Sequence, residues 1–177
     1  FTTGLDAMRI TVAHEFFHAI QRSYQICPYS TTGFFYEMSS TWIEDVVYPD
    51  INDYIHDPWT SEFFDDPTQS ITDTNGYSIG LYGHYLTAMI EQEENLQSSI
   101  IKEIWERFEM FSGVTVLPSI DYVLQNSYDI DFTETWIDFC SRNFFNGLYS
   151  DMNNDFYYYN DQIYAQPISY NASPLSG

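Results

Sequence analysis

Apolar residues recur along most of the chain at intervals of three and four, which is the spacing of one face of an α-helix. This periodicity predicts six helices separated by stretches rich in Pro, Gly, Asp, Ser and Thr. The predicted helices cover residues 7–24, 34–47, 76–92, 95–111, 117–125 and 132–145. From residue 155 the pattern changes to Tyr, Phe and Ile runs that favour a strand. The chain is therefore predicted to be mainly α, with one helical domain over 1–150 and a β-like tail, or the start of a following module, over 151–177.

The first predicted helix carries an apolar stripe that we expect to face the core. The members of the stripe follow the spacing of one helix face: Met8, Val12, Phe16, Ala19 and Ile20. Asp6 is the predicted N-cap of this helix, and the Ser/Thr/Gly cluster at 30–33 is predicted to be a loop after it. A longer loop, with a short helical piece at 59–64, is predicted over 50–75. Such loops often line binding clefts.

The charge of the chain narrows its classes of partner. There are 26 acidic and five basic residues, a formal net charge of −21. Such a surface repels nucleic-acid phosphates and anionic lipids, and no apolar run approaches the roughly 20 residues of a membrane span. We expect neither a nucleic-acid partner nor membrane insertion, and the acidity favours a secreted or cell-surface location. The 19% aromatic content argues for a packed fold rather than disorder.

The acidity of the chain also makes Ca²⁺ a possible bound ion, because carboxylate oxygens are its usual ligands. Three Asp pairs are candidates, although none forms an EF-hand pattern: Asp65 and Asp66, Asp129 and Asp131, Asp151 and Asp155. Of the other ligand types, Cys27 and Cys140 form no C-x-x-C motif. The two cysteines permit one disulfide, but two buried thiols would give the same sequence.

The most specific chemical signal lies within the first predicted helix, where His14, Glu15 and His18 form an H-E-x-x-H motif. Two histidines four residues apart project from the same face of a helix, so both imidazoles can bind one metal ion, usually Zn²⁺. Glu15 leans toward the same side and can take a proton from a metal-bound water. Half of the four histidines in the chain lie in this one turn.

A catalytic zinc normally has three protein ligands and one water. The metzincin pattern would require Gly at position 21 and His at position 24, where this chain has Gln21 and Tyr24. The other common third ligand is a Glu on a downstream helix. Glu37 and Glu44 lie two turns apart on one face of the second predicted helix, and the sequence alone allows either to reach the metal.

These motifs resemble the gluzincin type of zincin-like metallopeptidase, in particular secreted bacterial and archaeal metalloproteases. The resemblance covers about residues 7–147. It rests on H-E-F-F-H-A-I-Q at 14–21 and on E-M-S-S-T-W-I-E-D at 37–45. Three shorter motifs follow in the same order as in that family: V-Y-P at 47–49, Y-G at 82–83 and I-W-E at 104–106. One departure is Thr41, which stands where thermolysin-type enzymes carry an Asp.

The resemblance implies a zinc-dependent endopeptidase acting on a peptide or protein substrate. It implies that Glu37 is the third zinc ligand, and that Tyr82 or His84 stabilises the oxyanion. It also implies a β-sheet beside the motif helix. The thirteen residues before His14 are too few for that sheet, so we expect it to be largely missing from this chain or supplied by a longer one.

A second interpretation belongs to a different class. The chain could be a non-catalytic surface or assembly protein that keeps the zincin-like fold and the metal. Retention of Glu15 favours the peptidase, since metal binding alone does not need it, whereas the missing sheet and the acidity favour the scaffold. The oligomeric state and the substrate are not predicted.

Overall fold

The computed structural model describes residues 2–24, 29–55, 61–93, 97–110 and 115–149, together with residues 157, 158 and 168. At 29–31 and 61 it describes the backbone alone. Within these ranges the chain is mainly helical and contains no strand. None of the described helices is both long and apolar enough to cross a membrane.

Seven α-helices make up most of the described chain. They are α1 (Gly4–Tyr24), α2 (Tyr29–Val47), α3 (Ser61–Asp65), α4 (Gly80–Tyr85), α5 (Ile100–Glu109), α6 (Val116–Tyr128) and α7 (Phe132–Asn143). A 3₁₀ turn at Tyr77–Ile79 leads into α4, and a π-helical segment at Leu86–Glu91 extends it. All six predicted helices are therefore present, with α4 and its two extensions covering the predicted helix at 76–92.

The centre of the fold is α2, which contacts α1, α4 and α6. Every described side chain from Thr32 to Trp42 is buried, so this helix is enclosed on all sides. The core around it is strongly aromatic: Phe35, Phe63, Tyr82, Tyr85, Trp105 and Phe139 are each no more than 1% exposed. Because α2 also carries Glu37, the candidate ligand lies inside the best-packed part of the molecule.

Glycines allow α4 and the turn before it to approach α2 closely. A Cβ added at Gly80 would lie 2.7 Å from Cγ2 of Thr41, and one added at Gly83 would lie 2.8 Å from Cβ of Trp42. Gly76 has φ +88°, and a Cβ there would lie 2.4 Å from the carbonyl oxygen of Phe34. A side chain at these positions would push α4 away from the helix that carries Glu37.

The predicted orientation of α1 is wrong. The stripe expected in the core is exposed: Met8 by 58%, Val12 by 59%, Phe16 by 68% and Ile20 by 38%, with Ala19 also exposed. The buried residues of α1 are instead Ile10, His14 and Gln21. The two polar side chains can face the core because hydrogen bonds from α2 offset the cost of removing them from water.

Other expectations have mixed outcomes. The loop predicted at 30–33 is wrong, because α2 begins at Tyr29 and includes these residues. The short helix predicted at 59–64 corresponds to α3, although residues 59 and 60 lie outside the described chain.

In the tail, Tyr158 and Ile168 are buried against the helical core, and Ile168 donates its N–H to the carbonyl of Asn143 at 3.0 Å. The rest of the predicted β-like tail lies outside the described residues.

Candidate metal centre

Helix α1 brings His14 and His18 together as the four-residue spacing predicts. Their ring centroids lie 4.6 Å apart with the ring planes at 87°. His14 is 6% exposed, while His18 is partly buried. The two imidazoles therefore face α2 from one side of α1, rather than the solvent.

Helix α2 places Glu37 against both rings. Its Oε2 lies 3.1 Å from Nε2 of His14 and 3.4 Å from Nε2 of His18. Two ligand atoms at the usual zinc distances in a tetrahedral site are about 3.3 Å apart, so both separations fit one shared ion. His14, His18 and Glu37 are a group that can hold a metal ion, with ligand atoms all within 4.8 Å of one another.

The other nitrogen of each ring has its own acceptor. Nδ1 of His14 lies 2.6 Å from Oε1 of Glu44, and Nδ1 of His18 lies 2.7 Å from Oε1 of Gln21. Histidines that bind metals almost always donate their second N–H in this way, because the bond fixes the tautomer and the ring orientation. Both Nε2 atoms are thereby directed at Glu37.

This arrangement separates the two carboxylates that the sequence left open. Glu37 faces the Nε2 atoms of both histidines, whereas Glu44 approaches His14 from the opposite side of its ring. The three-residue group that can hold a metal includes Glu37 and not Glu44. Glu44 instead acts on the site through its hydrogen bond to His14.

Gln21 is a site residue whose contribution the sequence did not reveal. It is fully buried, and its amide nitrogen lies within 3.0 Å of the carbonyl oxygen of Tyr36 and the hydroxyls of Ser39 and Ser40. These contacts hold the amide so that its oxygen accepts from His18. The available signal was a polar residue three positions after His18, which is the helical spacing of neighbouring side chains.

The carboxylates of Glu37 and Glu44 favour a bound proton or metal cation at this site. Burial lowers the pKa of His14, but hydrogen bonds and charges from Glu37 and Glu44 outweigh burial and raise it to about 9. The hydrogen bond to Glu37 is the largest cause of the raised pKa of His18, against the opposing effect of burial. Without a metal, a proton is retained between these groups at neutral pH. A divalent cation can replace it.

Glu15 opens onto a cavity of about 180 Å³ beside the histidines. It is exposed, as a group that exchanges protons with water should be. The cavity is formed by α1, α2 and the segments before α4, and its lining residues are Ile10, Thr11, His14, Glu15, Thr41, Glu44, Asp53, Tyr54 and Tyr77. Glu15 and His14 therefore share a space that a substrate can enter.

The two predicted oxyanion residues, Tyr82 and His84, are both buried. Tyr82 is fully buried, and its hydroxyl is hydrogen-bonded to Oγ1 of Thr135 at 2.8 Å. His84 is buried behind Tyr54, with the two rings stacked at 4.8 Å between centroids. Burial lowers the pKa of His84 to about 3, which keeps it neutral. Neither side chain lines the cavity described above.

Tyr77, which the sequence analysis did not single out, lies beside His14. Its ring is stacked on His14, with centroids 5.5 Å apart and planes within 3° of parallel, and it lines the cavity. The close contact of Gly76 with α2 brings Tyr77 there. The dipeptide Asn75–Gly76 is a turn signal that could have drawn attention to this residue.

The other proposed cation sites receive no support. Within the described part of the chain, the Asp residues named for Ca²⁺ join no group of three or more ligands. Asp131 instead caps α7, accepting from the N–H of Glu134, and Asp66 accepts from Thr68. Asp151, Asp155 and Cys27 lie outside the described residues, so the third Asp pair and the disulfide stay predictions.

Comparison of the chain with protein-family models, with curated proteins and with solved structures found no match.

Proposed function

We propose that this chain is a zinc-dependent peptidase, or the metal-binding part of one, with the metal held by His14, His18 and Glu37. The observation that carries the proposal is the convergence of one Glu37 oxygen on two Nε2 atoms, at 3.1 Å and 3.4 Å. Two His and one Glu are an established ligand set of catalytic zinc, and they leave a coordination position open for water.

The chemistry follows from the neighbours of the three ligands. A bound Zn²⁺ supplies a water whose pKa is lowered toward about 7, and positive charge near the scissile carbonyl. Glu15 accepts the proton of the attacking water and delivers it to the leaving amine. Glu44 and Gln21 keep the two imidazoles in the ligating orientation. Tyr77, at the cavity wall beside His14, is better placed than Tyr82 or His84 to donate a hydrogen bond to the carbonyl oxygen.

A specific observation supports the non-catalytic alternative. Five large apolar side chains of α1 are between 38% and 68% exposed: Leu5, Met8, Val12, Phe16 and Ile20. Contiguous apolar surface of this kind is typical of an interaction face. It fits a scaffold whose partner covers α1. A secreted or cell-surface location belongs to both versions.

The deciding experiment compares three proteins after removal of metal and reloading with zinc. These are the wild type, Glu15→Gln, and Glu109→Gln as a control that removes an exposed carboxylate at the end of α5. Elemental analysis should find one zinc in each. Unfolded casein should be cleaved by the wild type and the control, and at least about 100-fold more slowly by Glu15→Gln. Equal cleavage by wild type and Glu15→Gln would contradict the mechanism, and zinc binding without any cleavage would favour the scaffold.

A further inference from the structure

The cavity beside the candidate metal centre has a chemical character that the proposed peptidase chemistry does not require. Three of its lining residues are carboxylates, namely Glu15, Glu44 and Asp53, and the lining contains neither lysine nor arginine. A divalent ion bound with one carboxylate ligand leaves one positive charge. The three negative charges of the cavity carboxylates outnumber that positive charge, so the cavity would still attract a cation if a divalent metal were bound.

Glu44 and Asp53 are held in position by the protein. Glu44 accepts from His14 through Oε1 at 2.6 Å, and Asp53 accepts the backbone N–H of Thr2 through Oδ1 at 2.7 Å. A carboxylate has two oxygens and can accept several hydrogen bonds, so each of these groups retains capacity for another donor. Their orientation is fixed before any ligand arrives, which lowers the entropic cost of binding one.

An independent feature of the cavity also points to a ligand. Thr41 is 2% exposed, and its Oγ1 has no hydrogen-bond partner within the described chain. Thr41 lines the cavity, and its methyl group lies against Gly80. A buried hydroxyl without a partner costs roughly 1–3 kcal/mol, so native structures rarely keep one without a reason. A donor group entering the cavity would satisfy it.

The walls suit the stem of a long side chain as well as its charged end. Tyr54 and Tyr77 line the cavity, and both rings are fixed by stacking, on His84 and His14 respectively. Aromatic faces bind alkyl chains and attract ammonium and guanidinium groups. The volume of about 180 Å³ exceeds that of cavities of about 150 Å³ that are known to admit benzene.

We propose that this cavity is a specificity subsite for a lysine or arginine side chain of the peptide substrate, recognised by Asp53, Glu44 and the Thr41 hydroxyl. The identity of the bound group as part of a substrate rests on the proposed function. Recognition of the cationic side chain does not depend on turnover.

The test therefore measures binding without catalysis. The probes are Nα-acetyl-lysine amide, Nα-acetyl-arginine amide and Nα-acetyl-norleucine amide, each titrated into the zinc-loaded full chain by calorimetry or NMR. Norleucine keeps the length of lysine and lacks the ammonium group, and acetylation removes the α-amine. The wild type should bind the two cationic probes at least about tenfold more tightly than norleucine, and the preference should fall as salt rises.

Two variants and one control assign the effect to the cavity. Asp53→Asn keeps an oxygen for the Thr2 N–H and should reduce the lysine-to-norleucine preference about fivefold or more. Thr41→Val should reduce it by a smaller factor while leaving the protein folded. Glu109→Gln removes a distant negative charge and should leave the preference unchanged. Equal binding of lysine and norleucine probes by the wild type, or an unchanged preference in Asp53→Asn, would overturn the proposal.

The outcome is separable from that of the casein experiment. Loss of the lysine preference with cleavage still dependent on Glu15 would remove the subsite and keep the peptidase. A lysine preference without cleavage would keep the subsite and remove the peptidase.

Discussion

The metal-free protein should become less stable as the pH rises from 6.5 to 9. The responsible group is His14, whose pKa is about 9 in the folded protein against 6.5 for an ordinary histidine. A group whose pKa is higher in the folded than in the unfolded protein stabilises the fold, and this effect is complete at pH values below its unfolded pKa. That stability is lost as the pH rises through the folded value. His18, whose pKa is also raised, contributes in the same direction.

The magnitude follows from the size of the shift. Each unit of difference in pKa corresponds to about 1.4 kcal/mol, so His14 contributes at most about 3.5 kcal/mol to the unfolding free energy. Solvent at the rim of the site reduces this contribution. For a chain of this length, one kcal/mol changes Tm by roughly 2–4 °C. The metal-free protein should therefore lose up to about 10 °C between pH 6.5 and pH 9. Zinc should abolish the loss, because the cation replaces the proton and is bound more tightly as the pH rises.

The assay is thermal or urea unfolding across this pH range, with and without zinc. Glu44→Gln removes one of the two carboxylates that raise the pKa of His14, so its metal-free form should show a shallower decline. Glu109→Gln should retain the wild-type decline. A metal-free wild type whose stability is flat from pH 6.5 to pH 9, or an identical decline in Glu44→Gln, would refute the assignment of this dependence to the cluster.

Two further predictions test the surroundings of the site and the orientation of its helix. Gln21→Leu removes the nearer of the two groups hydrogen-bonded to Nδ1 of His18, the other being Oγ of Ser40 at 3.2 Å. Zinc affinity should therefore fall about 10- to 100-fold in competition with a chromophoric chelator, and an unchanged affinity would contradict the role given to this amide. Phe16→Ser, on the exposed stripe of α1, should change the unfolding free energy by less than about 0.5 kcal/mol. Phe35→Ala, in the core, should cost about 3–5 kcal/mol in the same urea titration. A comparable cost for both would show that the stripe is covered in solution.

Local sequence was sufficient to predict the features that depend on one helix alone. The six helices follow from apolar periodicity, because helix formation depends on residues within a few turns of one another. The pairing of His14 and His18 follows from helix geometry, since residues four apart always share a face. The H-E-x-x-H motif therefore predicted the paired imidazoles of the candidate metal centre without knowledge of any other element.

Only the tertiary structure decided which carboxylate faces the histidines and which face of α1 is buried. Glu37 and Glu44 lie on one face of α2, and the register of α2 against α1 directs one to the Nε2 atoms and the other to Nδ1. Periodicity shows that a helix is amphipathic, but not that hydrogen bonds from a neighbour can bury its polar side. In α1 the network around Gln21 does so, and the apolar stripe turns outward. Such choices depend on contacts between residues distant in the chain, which no local pattern records.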